Sequence, residues 1–498
     1  MNATRRIVAA LLGPAALLLG PVTPAAPAAT PPAVVATPAP PVLLEEGLQR
    51  IVDEALAANL ELRASGATVQ QRMAALDQAR ARYLPAIDFV ARYNVSDGGR
   101  TIDIPVGDLL NPVYATLEQL LQAQGQPAQF PRVSNQSIDL LRNPEQETKL
   151  VMLQPVFDAR LAPAVDANRA QVASSEADLA ALRSQVVRDV KQAYYRWIAA
   201  QQAVTVLDAT LEAARANYAA NDSLYRNGRI TRDLVYRAEA DVLEIEQQRL
   251  ATASAVRIAQ SYVNLLRNAP LRQPLPPADI DGATIERFRA RLVRDLAGRE
   301  LDPDRLQELA GQRRQELKSL DAAVSAGEAQ KDLARAAFKP TLGFGAEAGI
   351  QGTDFGFESE DRYVLASLVL RFNAFRGGAD RAALAEASAL TEQLRAAREL
   401  AGQQVRLEVQ QSLETFEVAE ASLETAVKRA EAAAGAFTIT SRKRDLGQIN
   451  QAEFIDARRA YTDAQLNVTR VRAEYLARLA ELEYAIGSVR RIEQERLP

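Results

Sequence analysis

The sequence contains no cysteine and no histidine in its 498 residues. Disulfides, thiolate nucleophiles, Cys/His zinc sites and triads that use an imidazole base are therefore excluded. Aromatic residues are only 5% of the chain although apolar residues make up 48%, so small aliphatic side chains dominate, as in long, closely packed helices. Lys plus Arg (59) nearly balances Asp plus Glu (63), which argues against a nucleic-acid surface.

Long apolar runs are also absent after the N-terminal region, where no stretch reaches the roughly 20 residues of a membrane-spanning helix. At the N-terminus, Arg5 and Arg6 precede an apolar stretch over residues 7–19. This order predicts a secretory signal peptide over residues 1–28. A single membrane anchor is the alternative, but the apolar stretch is too short to span. The Pro/Ala-rich residues 29–44 are predicted to form a flexible leader.

Two halves of the chain repeat the same local patterns. Residues 82–89 resemble residues 337–344 at an offset of 255, and residues 157–160 resemble residues 375–378 at an offset of 218. We infer a tandem duplication in which the first copy holds 37 additional residues, predicted as an enlarged loop rather than a domain. The predicted units are repeat 1 at 45–270, a proline-containing linker at 271–301, repeat 2 at 302–487 and a C-terminal tail at 488–498.

Each copy predicts the same order of elements. A first helix, at about 45–83 and 302–338, shows i, i+3, i+4 apolar spacing and stops at a proline. A strand, a loop and a second strand follow. Each strand is close to the about 9–11 residues that cross a bilayer as tilted β-structure. The predicted strands are 87–95, 149–157, 342–350 and 363–375.

Apolar and polar side chains alternate in these strands, which gives each strand one apolar and one polar face. An open sheet of this kind is unstable in lipid, because each unpaired edge group would cost several kcal/mol. A barrel built from several copies solves this problem, and three copies would supply twelve strands. A secreted coiled-coil rod is the alternative, but it leaves the alternation unexplained. The polar faces carry Asp88, Arg92, Asn94, Glu347 and Arg371.

A helix of about 60 residues follows each second strand, at 163–225 and 380–443, with a length of about 90 Å. Apolar residues recur along it with 4/3 spacing, and both copies place a bulky aromatic residue, Trp197 or Phe416, at the same point of the seam. This pattern predicts coiled-coil packing with both aromatic side chains in the core. A glycine-containing turn then reverses the chain into return helices at 230–268 and 449–486.

This order of motifs resembles the TolC-like outer-membrane efflux proteins of Gram-negative bacteria over residues 45–487. The resemblance implies a mainly α fold with a small β part: a homotrimer with an α-helical barrel in the periplasm and a 12-stranded β-barrel in outer-membrane lipid, four strands from each chain. The enlarged loop would then be extracellular. The motifs that carry the resemblance are Leu84-Pro85, the strand-to-helix corners at 154–158 and 375–378, and the hairpins at Gly228 and Gly447.

The resemblance implies the outer-membrane channel of a tripartite efflux or type I secretion system. Such a channel passively conducts cargo and docks through a periplasmic adaptor (membrane fusion) protein onto an inner-membrane transporter. The five polar strand residues would line its lumen. The alternative function is a secreted periplasmic coiled-coil structural or adaptor protein. We expect no enzyme activity, catalytic residue, metal or cofactor, because no pocket-forming pattern accompanies the carboxylates.

The resemblance also implies a periplasmic gate, lined by acidic residues six and nine positions after the second hairpin glycine. Here these residues are Glu453 and Asp456. Their i, i+3 spacing places both on one helix face, so three copies would form a ring of carboxylates that prefers cations. An ordinary solvated acidic face is the alternative. The Tyr and Arg that hold the closed state in some members are replaced by Arg444 and Ile449.

The hairpin turns are predicted to dock the adaptor. Glycine at each turn is also the residue expected at a helix C-cap with positive φ, and this structural role is compatible with docking. The predicted docking residues are Gly228, Arg229, Leu446, Gly447 and Ile449.

Overall fold

The structure, a computed structural model, describes residues 43–126, 128–141, 143–295 and 301–488. The predicted signal peptide, nearly all of the predicted leader and the C-terminal tail beyond Ser488 lie outside these residues. Within them, helices dominate and six strands form two small sheets. The predicted fold class, mainly α with a small β part, is confirmed.

The first copy begins with two helices rather than the single helix predicted, because the chain breaks at Asn59. The Asn59 side chain accepts hydrogen bonds from the backbone N–H groups of Glu61 and Leu62 and so caps the second helix. The elements of this copy are α1 (Leu44–Ala58), α2 (Leu60–Ala81), β1 (Ala86–Asn94), β2 (Thr101–Ile104), α3 (Val106–Ala123), β3 (Gln136–Asp139), β4 (Glu145–Asp158), α4 (Leu161–Arg226) and α5 (Arg232–Leu266).

The predicted enlarged loop contains structure that the sequence reasoning missed. Its β2 and β3 form an antiparallel ribbon, and α3 is a helix of 18 residues between them. Pro112 inside this helix, and the Pro-, Gly- and Gln-rich surroundings, concealed its apolar periodicity. The first copy therefore carries a folded insertion between β1 and β4.

The second copy repeats the plan without the insertion. Its predicted first helix is also divided, here at Arg314, which lies 255 residues after Asn59. The predicted linker is partly helical as well. The remaining elements are α6 (Gly282–Asp295), α7 (Pro303–Arg313), α8 (Gln315–Ala336), β5 (Thr341–Gly352), β6 (Arg362–Arg371), α9 (Ala379–Asp445) and α10 (Gln451–Ala485).

The four long strands form one antiparallel sheet in the order β1-β4-β5-β6. One row of paired residues shows its apolar face: Phe89, Leu150, Ala348 and Val364 stand opposite one another across the sheet. The strands from the two copies thus share one sheet whose edges are β1 and β6. The predicted alternation gives this sheet one mostly apolar side, which Thr148, Gln154 and Arg362 interrupt.

The helices form a layer that continues from the sheet. Near the hairpin turns the neighbours are α5, α4, α10 and α9, and nearer the sheet they are α2, α4, α8 and α9. α2 leads into edge strand β1, and α9 follows edge strand β6. The sheet and the helical layer therefore end at corresponding edges. Among the described residues, no helix combines the length and apolar content required to span a membrane.

The main core lies where the linker crosses the long helices. Tyr194 of α4 is buried, and its hydroxyl donates to the carbonyl of Pro276 at 2.8 Å. Ile280 and Phe288 of the linker pack into the same cluster. Trp197 and Phe416 are both buried there, which confirms the predicted coiled-coil seam at its two bulky positions.

Candidate functional site: the polar sheet face and the hairpin tips

The sheet brings all five predicted polar strand residues onto the same face. Asp88 is in one row with Val151 and Glu347, and a row four residues further along β1 pairs Arg92 with Glu147. Asn94 lies six positions after Asp88 on β1, and Arg371 lies six positions after Leu365, the partner of Glu347 on β6. Both even spacings place these residues on the same face. The alternation predicted strand by strand therefore places the five polar residues on one face, which they share with apolar side chains such as Val151.

Two residues that the sequence reasoning did not single out link this surface electrostatically. Lys149 lies between Glu147 at 3.0 Å and Glu347 at 2.8 Å. Glu147 also pairs with Arg92 at 2.8 Å and accepts a hydrogen bond from the Tyr363 hydroxyl at 3.1 Å. Glu147 and Lys149 are two positions apart on β4, so the same period-two alternation could have placed both on this face. The chain of charges ties three strands together.

Both hairpin turns have the geometry expected of a glycine C-cap. Gly228 has φ of 68° and Gly447 has φ of 70°, which confirms the predicted positive φ. In each turn the residue after the glycine donates its N–H back to a helical carbonyl, from Arg229 to Leu224 and from Gln448 to Lys443. These bonds define a Schellman motif. Arg229 and Leu446 are exposed at the tips, and Ile449 is half-buried.

The two gate candidates lie in the first turns of α10. Asn450 caps this helix by accepting a hydrogen bond from the Glu453 N–H at 2.9 Å, and its side-chain amide donates to the Glu453 carboxylate at 3.4 Å. Glu453 thus occupies the acidic position of a capping box. Both Glu453 and Asp456 are exposed in the single chain, so both carboxylates are available to a neighbouring surface or a lumen.

A buried ion pair close to the tips was missed by the sequence reasoning. Arg458 of α10 and Asp241 of α5 approach to 2.5 Å, and their side chains are only 3% and 4% exposed. The exposed Arg459 adds a contact to Glu244 at 2.6 Å. The available signal was a charged residue in the seam of α10, between the buried Ile455 and Thr462. This pair holds the return helices of the two copies together.

Arg444 makes its contacts locally, at the second hairpin turn. Its guanidinium pairs with Asp445 at 3.0 Å and lies over the ring of Phe454 at 4.0 Å. The contact joins the end of α9 to the start of α10 across the turn. Near the tips, Arg458 and Arg459 of α10 make the ionic contacts to α5 of the first copy.

The sequence matches the outer membrane efflux protein family over residues 132–267 and 306–488. The chain therefore belongs to this family, and the predicted resemblance is confirmed. No curated protein matches the chain in sequence. The chain is therefore an outer-membrane efflux protein rather than an enzyme. The alternative of a secreted coiled-coil rod is not favoured.

Solved channel structures have the same fold. The CmeC outer membrane channel of Campylobacter jejuni is 15% identical, with a TM-score of 0.69, over 89% of this chain and 86% of that one. VceC of Vibrio cholerae is 16% identical, with a TM-score of 0.68 over 89% and 96% of the two chains. MtrE of Neisseria gonorrhoeae, solved in its open state, is 17% identical, with a TM-score of 0.67 over 88% of each chain.

Proposed function

We propose that three copies of this chain close into one duct, a twelve-stranded barrel in the outer membrane continued by a helical barrel. The duct passively conducts cargo outward from an inner-membrane transporter, to which a periplasmic adaptor protein connects it. A tripartite efflux system and a type I secretion system both fit this description. The observation that carries the proposal is that sheet and helical layer both end in edges that a single chain leaves incomplete.

The sheet supports closure through its backbone. Within the described part of the chain, β1 and β6 each pair with one strand, so each presents a row of N–H and C=O groups without a strand partner. In hydrocarbon these groups cost several kcal/mol each unless another strand satisfies them. Pairing β6 of one copy with β1 of the next removes both edges of the four-stranded sheet and leaves its apolar face toward lipid and its polar face toward water.

The helical layer supports closure through its side chains. α5 buries Val235, Ala238 and Ile245 against its own chain. A second apolar stripe runs along another side of the same helix and is 54–68% exposed. A helix with two apolar stripes requires two partners, and the second partner proposed here is α9 of the neighbouring copy. The stripe consists of Tyr236, Leu243, Leu250, Ile258 and Leu265.

The experiment combines mass and conductance. Native mass spectrometry of the detergent-extracted protein should give three copies, and planar bilayers should show ion-conducting channels. Leu243→Asp with Leu250→Asp should split the trimer, because both carboxylates would be placed in the proposed interface. The matched control, Glu239→Asp with Glu244→Asp, changes exposed residues of the same helix and should leave the trimer intact. A monomer that conducts nothing would contradict the proposal.

The gate follows from the same closure. Three copies would bring Glu453 and Asp456 into a ring of carboxylates at the periplasmic entrance, which attracts cations. Glu453→Ala with Asp456→Ala should weaken cation selectivity and block by divalent cations. Asp233→Ala with Glu239→Ala removes two exposed carboxylates from the first turns of α5 and should change neither. Unchanged selectivity and block in the first variant would refute the gate assignment.

The exposed tips are the proposed adaptor surface. Arg229 and Leu446 are exposed at the ends of the long helices, where the chain turns. The turns themselves are formed by Gly228 and Gly447, with Ile449 half-buried beside the second one. Leu446→Glu should reduce adaptor capture in a pull-down from the cognate envelope without altering conductance. Equal capture by the variant and the unmodified protein would remove the tip from the docking surface.

A further inference from the structure

The insertion between β1 and β4 presents an apolar helix face to solvent in the single chain. This face follows α3 at i, i+4, i+8 and i+11, a spacing that keeps its residues on one side of a helix. The four side chains are 41–68% exposed. They are Leu109, Val113, Leu117 and Leu120.

The other side of α3 is fastened to the segment that follows it. Asn111 exchanges two hydrogen bonds with the backbone of Val133, at 2.8 and 2.9 Å. The Glu118 carboxylate accepts from the Phe130 N–H at 2.8 Å, and the rings of Tyr114 and Phe130 stack at 5.3 Å. Because these contacts fix the rotation of the helix, its apolar face is held outward rather than free to turn inward.

The composition of α3 argues against a membrane surface as the occupant of this face. Residues 106–131 contain no Lys or Arg, and their charged residues are Asp108 and Glu118. Helices that lie on anionic lipid carry basic residues beside the apolar face and gain affinity from them. α3 would instead be repelled by a negatively charged headgroup layer.

The position of the insertion points to a second copy. The insertion follows β1, an edge strand of the sheet. Its first strand, β2, begins only seven residues after Asn94, the last residue of β1. This edge is the one at which the proposed trimer joins its copies, so the apolar face continues an interface already required. Three insertions would surround one opening.

We propose that the α3 helices of three copies pack against one another through this apolar face and form a helical cap over the external end of the duct. The cap would bury the exposed leucines and narrow the exit. The proposal rests on the trimer proposed above, and the experiment below separates the two.

The chain contains no cysteine, so Val113→Cys introduces a single thiol in the centre of the face. In the purified trimer a short bismaleimide should link copies through this thiol into two-copy bands on denaturing gels. Gln122→Cys is the matched control, since Gln122 is exposed on the opposite side of the same helix. It should yield several-fold less cross-linked product.

The outcomes discriminate clearly. If glutaraldehyde shows a trimer but Val113→Cys links copies no better than Gln122→Cys, the cap is wrong and the duct stands. If no trimer is present, the proposed function itself fails. A polarity-sensitive fluorophore attached to the introduced thiol gives an independent readout: quenching by spin-labelled lipid would place the face in the membrane and overturn the cap, whereas protection from both lipid and aqueous quenchers would support it.

Discussion

The two tandem copies place different side chains at the break in their first helix, which is called the joint of each copy below. Asn59 of the first copy donates a hydrogen bond to the carbonyl of Leu266, at the end of α5. Arg314, in the equivalent position of the second copy, donates to the carbonyl of Ala485 at the end of α10. Leu266 and Ala485 are themselves equivalent in the duplication. Each return helix is thus tied at its C-terminus by the residue that breaks the first helix of its copy.

The residue that breaks the helix is neutral in the first copy, Asn59, and charged in the second, Arg314. Arg314 pairs with Glu408 at 2.9 Å and Glu316 at 3.0 Å, and its guanidinium lies against the ring of Tyr484. Burial raises the pKa of the Tyr484 hydroxyl to about 12, so this group remains a proton donor to Glu316. The difference follows position: α10 packs between α4 and α9 inside the layer, whereas α5 is at its edge.

The stability of the protein should be most sensitive to substitution in the buried ion pair between the copies, Asp241 with Arg458. Asp241→Ala leaves Arg458 buried without a counter-charge, which typically costs about 3–5 kcal/mol of unfolding free energy. Urea denaturation followed by far-UV circular dichroism measures the loss. The control Glu244→Ala removes only the exposed partner of Arg459 and should cost about 0–1 kcal/mol. Similar losses for the two variants would mean that the buried pair does not hold the return helices.

Substitutions at the two joints should lower the free energy of unfolding by different amounts in the same urea assay. Arg314→Ala removes charge-assisted hydrogen bonds to two carboxylates and should cost about 2–3 kcal/mol. Asn59→Ala removes a helix cap and should cost about 1 kcal/mol. Equal losses of unfolding free energy for Asn59→Ala and Arg314→Ala would contradict the proposed difference between the two joints.

The strand-to-helix corners provide a smaller contrast. Gly378 precedes α9 with φ of 87°, and nothing lies within 4 Å of the position a Cβ would take. Gly378→Ala should therefore cost about 1–2 kcal/mol from backbone strain alone. The equivalent Arg160 has an ordinary helical backbone and pairs with Asp158 at 2.6 Å. Arg160→Ala should cost less than about 1 kcal/mol, and thermal melting of the paired variants tests the order.

Removing a helix cap from the linker between the copies should cause a small loss of stability that depends on acid. Asp281 accepts the Thr284 N–H at 2.7 Å at the start of α6, and its hydrogen bonds to Thr284 lower the pKa of the Asp281 carboxyl. The contribution is complete at neutral pH and is lost as pH falls below the ordinary value of 3.8. Asp281→Ala should cost about 1 kcal/mol at pH 7. A difference between variant and parent that persists unchanged at pH 3 would contradict this cap.

The sequence predicted the fold well wherever one period governed a long segment. Three features could be predicted because each depends on the local sequence pattern alone. They are the four long strands, the heptad seam through Trp197 and Phe416, and the positive φ of Gly228 and Gly447. The helix breaks at Asn59 and Arg314 were not predicted, because part of what these side chains do is bond to carbonyls far away in the sequence, those of Leu266 and Ala485. The same reason hid Arg458, whose partner Asp241 is on another helix. The roles of Glu453, Asp456 and the polar strand residues stay predictions.

The central claim is that each copy is completed edge to edge by its neighbours. A photo-cross-linking amino acid in place of Leu250, in trimers mixed from light and isotopically labelled copies, tests it most directly. The account predicts mixed-isotope products in which the modified α5 is joined to peptides from Ala379–Asp445 of another copy. Cross-links confined to one copy, or joined to another element of the neighbour, would contradict it.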